Sequence, residues 1–338
     1  MRTTITTLLV FLLYAPARAA RTLDVYFIDV EGGQATLFVS PSGESMLVDT
    51  GWPDVGGRDA DRIVSVAKLA GVKQIDYLVV THYHMDHVGG VPQLAARIPI
   101  RTFVDHGPSV ESGPEADQLF SAYLSVRDKA KHLLAKPGDM IPIRGINVQV
   151  LTAAGNEISK PLPGAGAPNP LCAGAKRKDV DPSENAQSVG MLITYDRFRM
   201  IDLGDLTWNK ELGLACPDNK IGTVDVYLGT HHGLDLSGAP PLVQALHPLV
   251  AITDNGARKG GAPEAWQTIH SSPGLEDIWQ LHYALEAGKV NNAPEAFIAN
   301  LEEHCRGKWI RLSAEPDGQF TVTNSRNGKT KAYKPAAQ

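Results

Sequence analysis

Cysteine is scarce in this chain: Cys172, Cys216 and Cys305 are the only three in 338 residues, and none has metal-type spacing. A cysteine-built zinc fold and a disulfide-dense scaffold are therefore excluded. Apolar runs are short, and none after the N-terminal stretch LLVFLLY (residues 8 to 14) approaches the roughly 20 residues of a membrane helix. Positive charge is not in excess, because 32 Lys and Arg against 37 Asp and Glu leave a net charge of -5. Long-range attraction to nucleic acid is thus not written into the net charge. No G-x-S-x-G occurs and the cysteines lack a catalytic motif, so a serine or cysteine nucleophile has no support. There is no internal repeat.

What is present describes a globular chain. Hydrophobic content of 43%, charged content of 20% and 32 glycines exclude disorder and collagen, and the length suits one large domain or two small ones. The first nineteen residues differ: Arg2, the apolar stretch, then ARA at 17 to 19, a small-x-small pattern. This reads as a cleaved secretory signal peptide and predicts a periplasmic or secreted protein with no stable membrane anchor. Cleavage removes Arg2 and Arg18 and no acid, taking the charge from -5 to -7. The basic clusters KRK (176 to 178) and ARKGG (257 to 261) read as solvated loops. Export permits one disulfide, for which Cys172 with Cys216 is one pairing.

Short β-branched runs alternate with helical stretches. Strands are expected at 23 to 30, 35 to 40 and 45 to 50, a helix at 60 to 72, and a buried strand at QIDYLVVTH. Helices follow from GGVPQLAARIP and across 115 to 136, with a strand IRTFVDH between them. INVQVLTA, SVGMLITYDRFRMIDLGD and TVDVYLGTHHG add strands. Residues 271 to 288, with Trp279 and His282 at i and i+3, read as a packed helix. Residues 155 to 183 form an insertion loop, and 308 to 335 a hairpin about Asp317-Gly318. The expectation is a single α/β domain over 20 to 338, with two sheets and helices outside them.

One segment carries the chemistry. THYHMDHVGG (81 to 90) packs three histidines and an aspartate into six positions after the apolar run IDYLVV. A divalent metal wants imidazole and carboxylate donors converging from a rigid base, and a strand end provides one. His82 and His84, two apart on extended chain, reach the same side, while Asp86 and His87 face a second point, so the spacing suits two metals. Asp205 in RMIDLGDL ends another apolar strand, where a carboxylate bridges two ions. His231 and His232 in VYLGTHHG repeat the arrangement. Asp49 in LVDTG is a fourth strand-end acid, suited to holding a ligand histidine by its second nitrogen.

In motif order and spacing, residues 23 to 285 resemble the metallo-β-lactamase superfamily. The resemblance implies an αββα four-layer sandwich with His82 and His84 on one metal, Asp86 and His87 on the other, Asp205 bridging, and His232 completing the second. Either of His231 and His232 fits as that last ligand; the other then lies near the substrate. Within the superfamily, IDVEGGQATLF, ENAQSVGMLITYDRFRMIDLGDL and GTHHG resemble the hydrolase domain of ComEC-type competence proteins, without the membrane helices. Asn185 stands where most members carry a third histidine on the first metal, and Gly32, Gly33 and Gln34 would rim the cleft.

The catalytic candidates are thus Asp86, His231 and Asn185, and the cofactor two divalent ions, zinc by expectation with manganese the alternative. Metal coordination lowers the pKa of water from 15.7 toward about 7 and provides a hydroxide nucleophile. The expected substrate is a phosphodiester, small or single-stranded, with no protein partner evident. A β-lactam or lactone is the rival, and a metal-dependent binding domain without turnover the third reading.

Overall fold

The computed structural model describes residues 22 to 53 and 56 to 335, and the expected signal peptide lies outside them. Two large sheets face each other. The first runs in spatial order Thr330–Tyr333, Phe320–Asn324, Ile310–Ala314, Leu23–Phe27, Thr36–Val39, Ser45–Val48, Ile75–Val79, Ile100–Asp105 and Lys131–Leu134. It is antiparallel as far as Ser45–Val48 and parallel beyond it. The second runs Ile298–Asn300, Asp277–His282, Val250–Thr253, Val226–Leu228, Phe198–Asp202, Gly190–Tyr195, Asn147–Ala153 and Met140–Ile141. Its strands from Phe198–Asp202 to Ile298–Asn300 are parallel.

Period-two alternation divides the apolar side chains between layers. In the first strand, Leu23, Val25 and Phe27 enter the core between the sheets, while Tyr26 packs outward. In the second sheet Met200, Val226, Ile252 and Trp279 face inward, and Ile201, Tyr227, Ala251 and Ile278 outward. The outward faces are covered by helices. Arg58–Leu69 lays Ala60, Ile63, Val64 and Ala67 on the first sheet, the i, i+3, i+4, i+7 stripe of an amphipathic helix. Asp59 and Asp61 open it and Lys68 ends it, as the helix dipole favours. Trp208–Ala215, Pro240–Leu246 and Pro263–His270 cover the second sheet. The expected αββα sandwich is what forms.

Three elements differ from the sequence reading. The helix expected over 115 to 136 ends at Arg127, and Lys131–Leu134 is an exposed edge strand of the first sheet. Its two adjacent leucines between lysines, in KAKHLLAK (129 to 136), also fit a helical pattern, and the flanking lysines suit an open edge. The helix expected over 271 to 288 is instead the strand Asp277–His282, buried on both faces between parallel neighbours. Such a strand shows no polar alternation, so its apolar run is open to a helical reading. The expected C-terminal hairpin gains a third strand, Thr330–Tyr333.

The insertion at 155 to 183 is anchored rather than free. Ala167–Pro168 pairs with Asp218–Asn219, Asn169 Nδ2 donates to the carbonyls of Ala215 and Pro241, and a Cys172–Cys216 disulfide ties the loop to the end of Trp208–Ala215. Among the described residues, no helix is long and apolar enough to cross a membrane.

Candidate metal centre

Both sheets deliver polar loops to one pole. Strand Ile75–Val79 of the first sheet leads into Thr81 to His87, and helix Met85–Val88 begins within that segment. The chain then passes Gly89 and Gly90, where a Cβ would stand 2.2 Å from the carbonyl oxygens of Met85 and Thr50 respectively. Only glycine permits so tight a fold-back. From the second sheet, Asp205 follows Phe198–Asp202, and His231 and His232 follow Val226–Leu228. These two histidines both hold left-handed backbone, φ 58° and 56°, a strained pairing that concentrates at functional sites.

The donors converge. His82 Nε2 lies 3.1 Å from His84 Nδ1. His87 Nε2 lies 3.2 Å from Asp86 Oδ2, from Asp205 Oδ2 and from His232 Nε2. His232 Nε2 is 3.2 Å from Asp86 Oδ2 and 3.4 Å from Asp205 Oδ1. Asp205 Oδ2 also faces His231 Nε2 at 3.2 Å and His82 Nε2 at 3.9 Å. All except His84 are buried; that ring is about a third exposed. Asp205 therefore stands between the His82 and His84 pair and the Asp86, His87 and His232 group.

Hydrogen-bond partners behind the rings fix their tautomers. Asp49 Oδ2 accepts from His87 Nδ1 at 2.7 Å and from Thr81 Oγ1 at 2.6 Å. With its proton on Asp49, the Thr81 hydroxyl accepts from His82 Nδ1 at 3.0 Å. Glu111 Oε1 accepts from His84 Nε2 at 3.0 Å, and Asp254 Oδ1 faces His232 Nδ1 at 3.3 Å. Ser237 donates to the carbonyl of Leu206, so it accepts from His231 Nδ1 at 3.3 Å. The inward nitrogens of His82, His84, His87 and His231 are then bare lone pairs, and they meet other ring nitrogens or carboxylates at about 3.2 Å. A cation between them removes the repulsion.

Without one, protons must serve. Burial alone raises Asp86 and Asp205, yet the charges of His87 and His232 hold both well below the usual carboxylate range. Burial opposes protonation of His232, but Asp205 and Asp254 push it up to about 10. Burial brings His231 down to about 4.

The donor set fits divalent metal. It consists of imidazoles and carboxylates, as zinc and its first-row neighbours take. Asp205 Oδ1 and Asn185 Oδ1 are buried oxygens with no hydrogen-bond partner. Asn185 sits in the turn Glu184–Gln187, and no hydrogen bond joins its side-chain oxygen to the histidines. Of the predicted residues, His82, His84, Asp86, His87, Asp205, His231 and His232 are thus brought together, and Asn185 stands beside them.

The expected cleft-rim glycines instead lie beneath the centre. A Cβ on Gly33 would stand 2.3 Å from the carbonyl of Asp86, and Gln34 Nε2 donates to buried Asp202 at 2.7 Å. Burial raises the Asp202 carboxyl to about 7.

The centre floors a cavity of about 660 Å³ whose walls include Trp52, Tyr83, Met85, Leu119, Glu111 and Glu115. Lys259 is the cation lining it; its ammonium contacts Asp86 Oδ2 and stands 5.2 Å from the Trp52 ring. Glu184 braces the wall, accepting from Tyr83 N, His106 Nε2, Ser109 Oγ and Val110 N. Sequence reasoning missed Glu111, Glu184 and Asp254. Asp254 carried a readable sign, an acid just past the apolar strand Val250–Thr253, as Asp49 is past its own.

Residues 28–171 match the family model described as metallo-beta-lactamase superfamily. Atrochrysone carboxyl ACP thioesterase dmxR1 of Cryptosporiopsis sp. (strain 8999) is 34% identical over 91 residues, 26% of this chain and 27% of that protein. The chain thus matches about a quarter of the length of this curated relative. The metallo-beta-lactamase fold protein YhfI from Bacillus subtilis overlays 77% of this chain and 96% of its own at 12% identity and TM-score 0.47. CmlA, a diiron β-hydroxylase from Streptomyces venezuelae, overlays 75% and 47% at 16% identity and TM-score 0.41. Residues 28–171 therefore carry the metallo-β-lactamase superfamily match, and the chain is built in the metallo-β-lactamase fold.

Proposed function

We propose that the protein is an exported metal-dependent hydrolase of small acyl substrates. One observation carries this reading: His82, His84, His87 and His231, each oriented by a hydrogen-bond partner behind it, and His232, with Asp254 3.3 Å behind it, converge on two buried carboxylates at a cavity floor. His82 and His84 would hold one ion, Asp86, His87 and His232 a second, with Asp205 shared; zinc suits both sets. When bound, such ions lower the pKa of water toward neutrality and polarise the oxygen of the scissile group. The chain's own residues do the rest. Lys259 offers a positive charge at the edge of the centre, where developing negative charge gains most from a fixed donor. His231, on the cavity side of Asp205, is placed to complete the shell of the first ion at the face a substrate approaches.

The walls argue for the substrate class. Beyond the donors, Glu111, Glu115 and Glu184 line the cavity against one lysine, with Trp52, Tyr83, Met85 and Leu119 as apolar surface. A strand of several phosphates is repelled by such walls, whereas an acyl compound with an apolar body and at most one anionic group fits. A lactone, lactam or thioester is favoured, and the thioesterase named among the relatives is of this class. A small phosphodiester is the second reading, favoured by the GTHHG segment and by Lys259. The Cys172–Cys216 disulfide supports export, since such bonds persist in oxidising compartments.

The test is metal analysis of the purified protein, followed by chromogenic thioester, lactone and phosphodiester substrates side by side, with Asp205→Asn and His84→Ala as blanks. Two ions per chain and acyl turnover lost in both variants are expected, with a KM for anionic acyl substrates raised about tenfold in Lys259→Ala. Phosphodiester turnover alone would move the assignment to the second reading. Metal-free protein, or turnover that survives Asp205→Asn, would overturn it.

A further inference from the structure

A second group of metal-type donors lies outside the centre. Asp29 follows the strand Leu23–Phe27, with Glu31 two residues on; His282 ends the strand Asp277–His282; Cys305 sits in the loop before Ile310–Ala314. Segments from both sheets bring one donor atom each from Asp29, Glu31, His282 and Cys305 to within 4.8 Å of one another. None of the four is used in the hydrolysis proposed above.

Their arrangement is specific. Asp29 and His282 are fully buried, and Glu31 and Cys305 half-buried. Asp29 Oδ1 is 2.8 Å from His282 Nε2, and Asp29 Oδ2 is 2.9 Å from Cys305 Sγ. Sγ lies 3.8 Å from His282 Nε2 and 3.4 Å from Glu31 Oε1, and Glu31 Oε2 lies 4.0 Å from His282 Nε2. His282 Nδ1 has no partner, so the ring engages through Nε2 alone, the nitrogen that faces the group. The backbone N–H of Gly307 donates to Sγ at 3.3 Å, a bond that favours thiolate.

We propose that Asp29, Glu31, His282 and Cys305 form a separate binding site for one divalent transition ion of the zinc class. One sulfur, one imidazole and two carboxylates match the borderline character of such ions, whereas calcium and magnesium require oxygen alone. Charge balances as well. Two carboxylates and a thiolate carry three negative charges, Arg62 supplies one positive charge, Arg58, 3.9 Å from Glu31, is matched by Asp59, and a divalent ion would supply the remainder. Arg62 takes Asp29 Oδ2 and Glu31 Oε1, leaving Glu31 Oε2 toward the imidazole. On binding, the Cys305 thiol gives up its proton and its hydrogen bond to Asp29.

Cobalt tests this independently of any activity. Cys172 and Cys216 are joined to each other and the hydrolytic centre contains no sulfur, so a near-ultraviolet thiolate-to-cobalt charge-transfer band reports this site alone. Metal-stripped full-length protein titrated with cobalt is expected to develop the band to the intensity of one thiolate-bound cobalt per chain. Zinc should displace it, Cys305→Ser should abolish it and lower zinc content by one ion, and His282→Gln should weaken cobalt binding at least tenfold. The band should persist in the Asp205→Asn, His84→Ala double variant, so failure of the hydrolase reading leaves this test intact. Absence of the band in wild-type protein at saturating cobalt, or equal zinc content in wild type and a folded Cys305→Ser variant, would overturn the proposal.

Discussion

Asp49 reaches both halves of the metal centre from one carboxylate: it holds His87 directly at 2.7 Å and, through the Thr81 hydroxyl 2.6 Å away, steers His82. The residue adopts left-handed backbone, φ 60°, directly after the strand Ser45–Val48, and Thr81 N also donates to it. No side chain of similar shape preserves this. An amide in its place must turn an N–H either toward the Thr81 backbone N–H or toward both the Thr81 hydroxyl and His87, so at least one of these bonds is lost.

Asp49→Asn is therefore expected to weaken metal binding by about 10- to 100-fold, the usual cost of removing a partner that orients a metal-ligating histidine. Competitive chelator titration measures it, with circular dichroism showing that the fold persists. Unchanged affinity would mean that Asp49 is a packing residue only.

Two residues compete to complete the shell around His82 and His84. His231 aims a lone pair at Asp205 Oδ2, while Asn185 offers a neutral, unpaired oxygen in the neighbouring turn. Imidazole is the stronger donor. His231→Ala is expected to lower metal content toward one ion per chain, and Asn185→Ala to leave it near two. Elemental analysis after gel filtration decides, and the reverse order would assign the role to Asn185.

Glu211 sets a pH dependence away from the metal. It is fully buried, accepts from Ala239 N at 2.7 Å, and burial pushes its carboxyl from 4.5 up to about 7. The folded protein thus keeps this proton to higher pH than the unfolded chain does. Its contribution to stability is full below about pH 4.5 and declines as pH rises toward 7, by on the order of 3 kcal/mol. Glu211→Gln keeps an acceptor for Ala239 and loses the ionisation. Urea unfolding at pH 5 and pH 8 should show the variant gaining on wild type at the higher pH; parallel curves would refute the assignment.

The Cys172–Cys216 bridge closes a loop of sequence separation 44, for which chain entropy predicts about 4 kcal/mol of stabilisation. Reductant, or Cys172→Ser, should lower Tm and expose the 155 to 183 loop to protease before the rest of the chain. A Tm unchanged by reductant would show that the hydrogen bonds of Asn169 suffice.

What the sequence made legible has a physical cause. The H-x-H-x-D-H segment concentrates donors within six residues of one strand, and Asp205 and His232 stand just past other strands, so local chemistry and local structure point the same way. The layers follow from alternation, as in Leu23, Val25 and Phe27 against Tyr26. Signals failed where burial erased them: Trp279 and His282 lie on a strand covered on both faces, and its apolar run also fits a helix. Glu111 and Asp254 were hidden because hydrogen-bond partners of ligands arrive through tertiary packing, 27 and 22 residues along the chain from His84 and His232. Glu31 and Cys305, 274 residues apart, share no motif at all.

The donors come from opposite leaves of the sandwich, His82 to His87 from the first sheet and Asp205 with His231 and His232 from the second. Cations held there would act as a clasp on one rim of the structure, while the interior around Phe27, Met200 and Trp279 keeps the leaves together without them. Chelation should thus part the rim without melting the body. Amide exchange should quicken over residues 81 to 91, 203 to 206 and 229 to 237 and stay slow in the central strands, so that catalyst and fastening are lost in the same step.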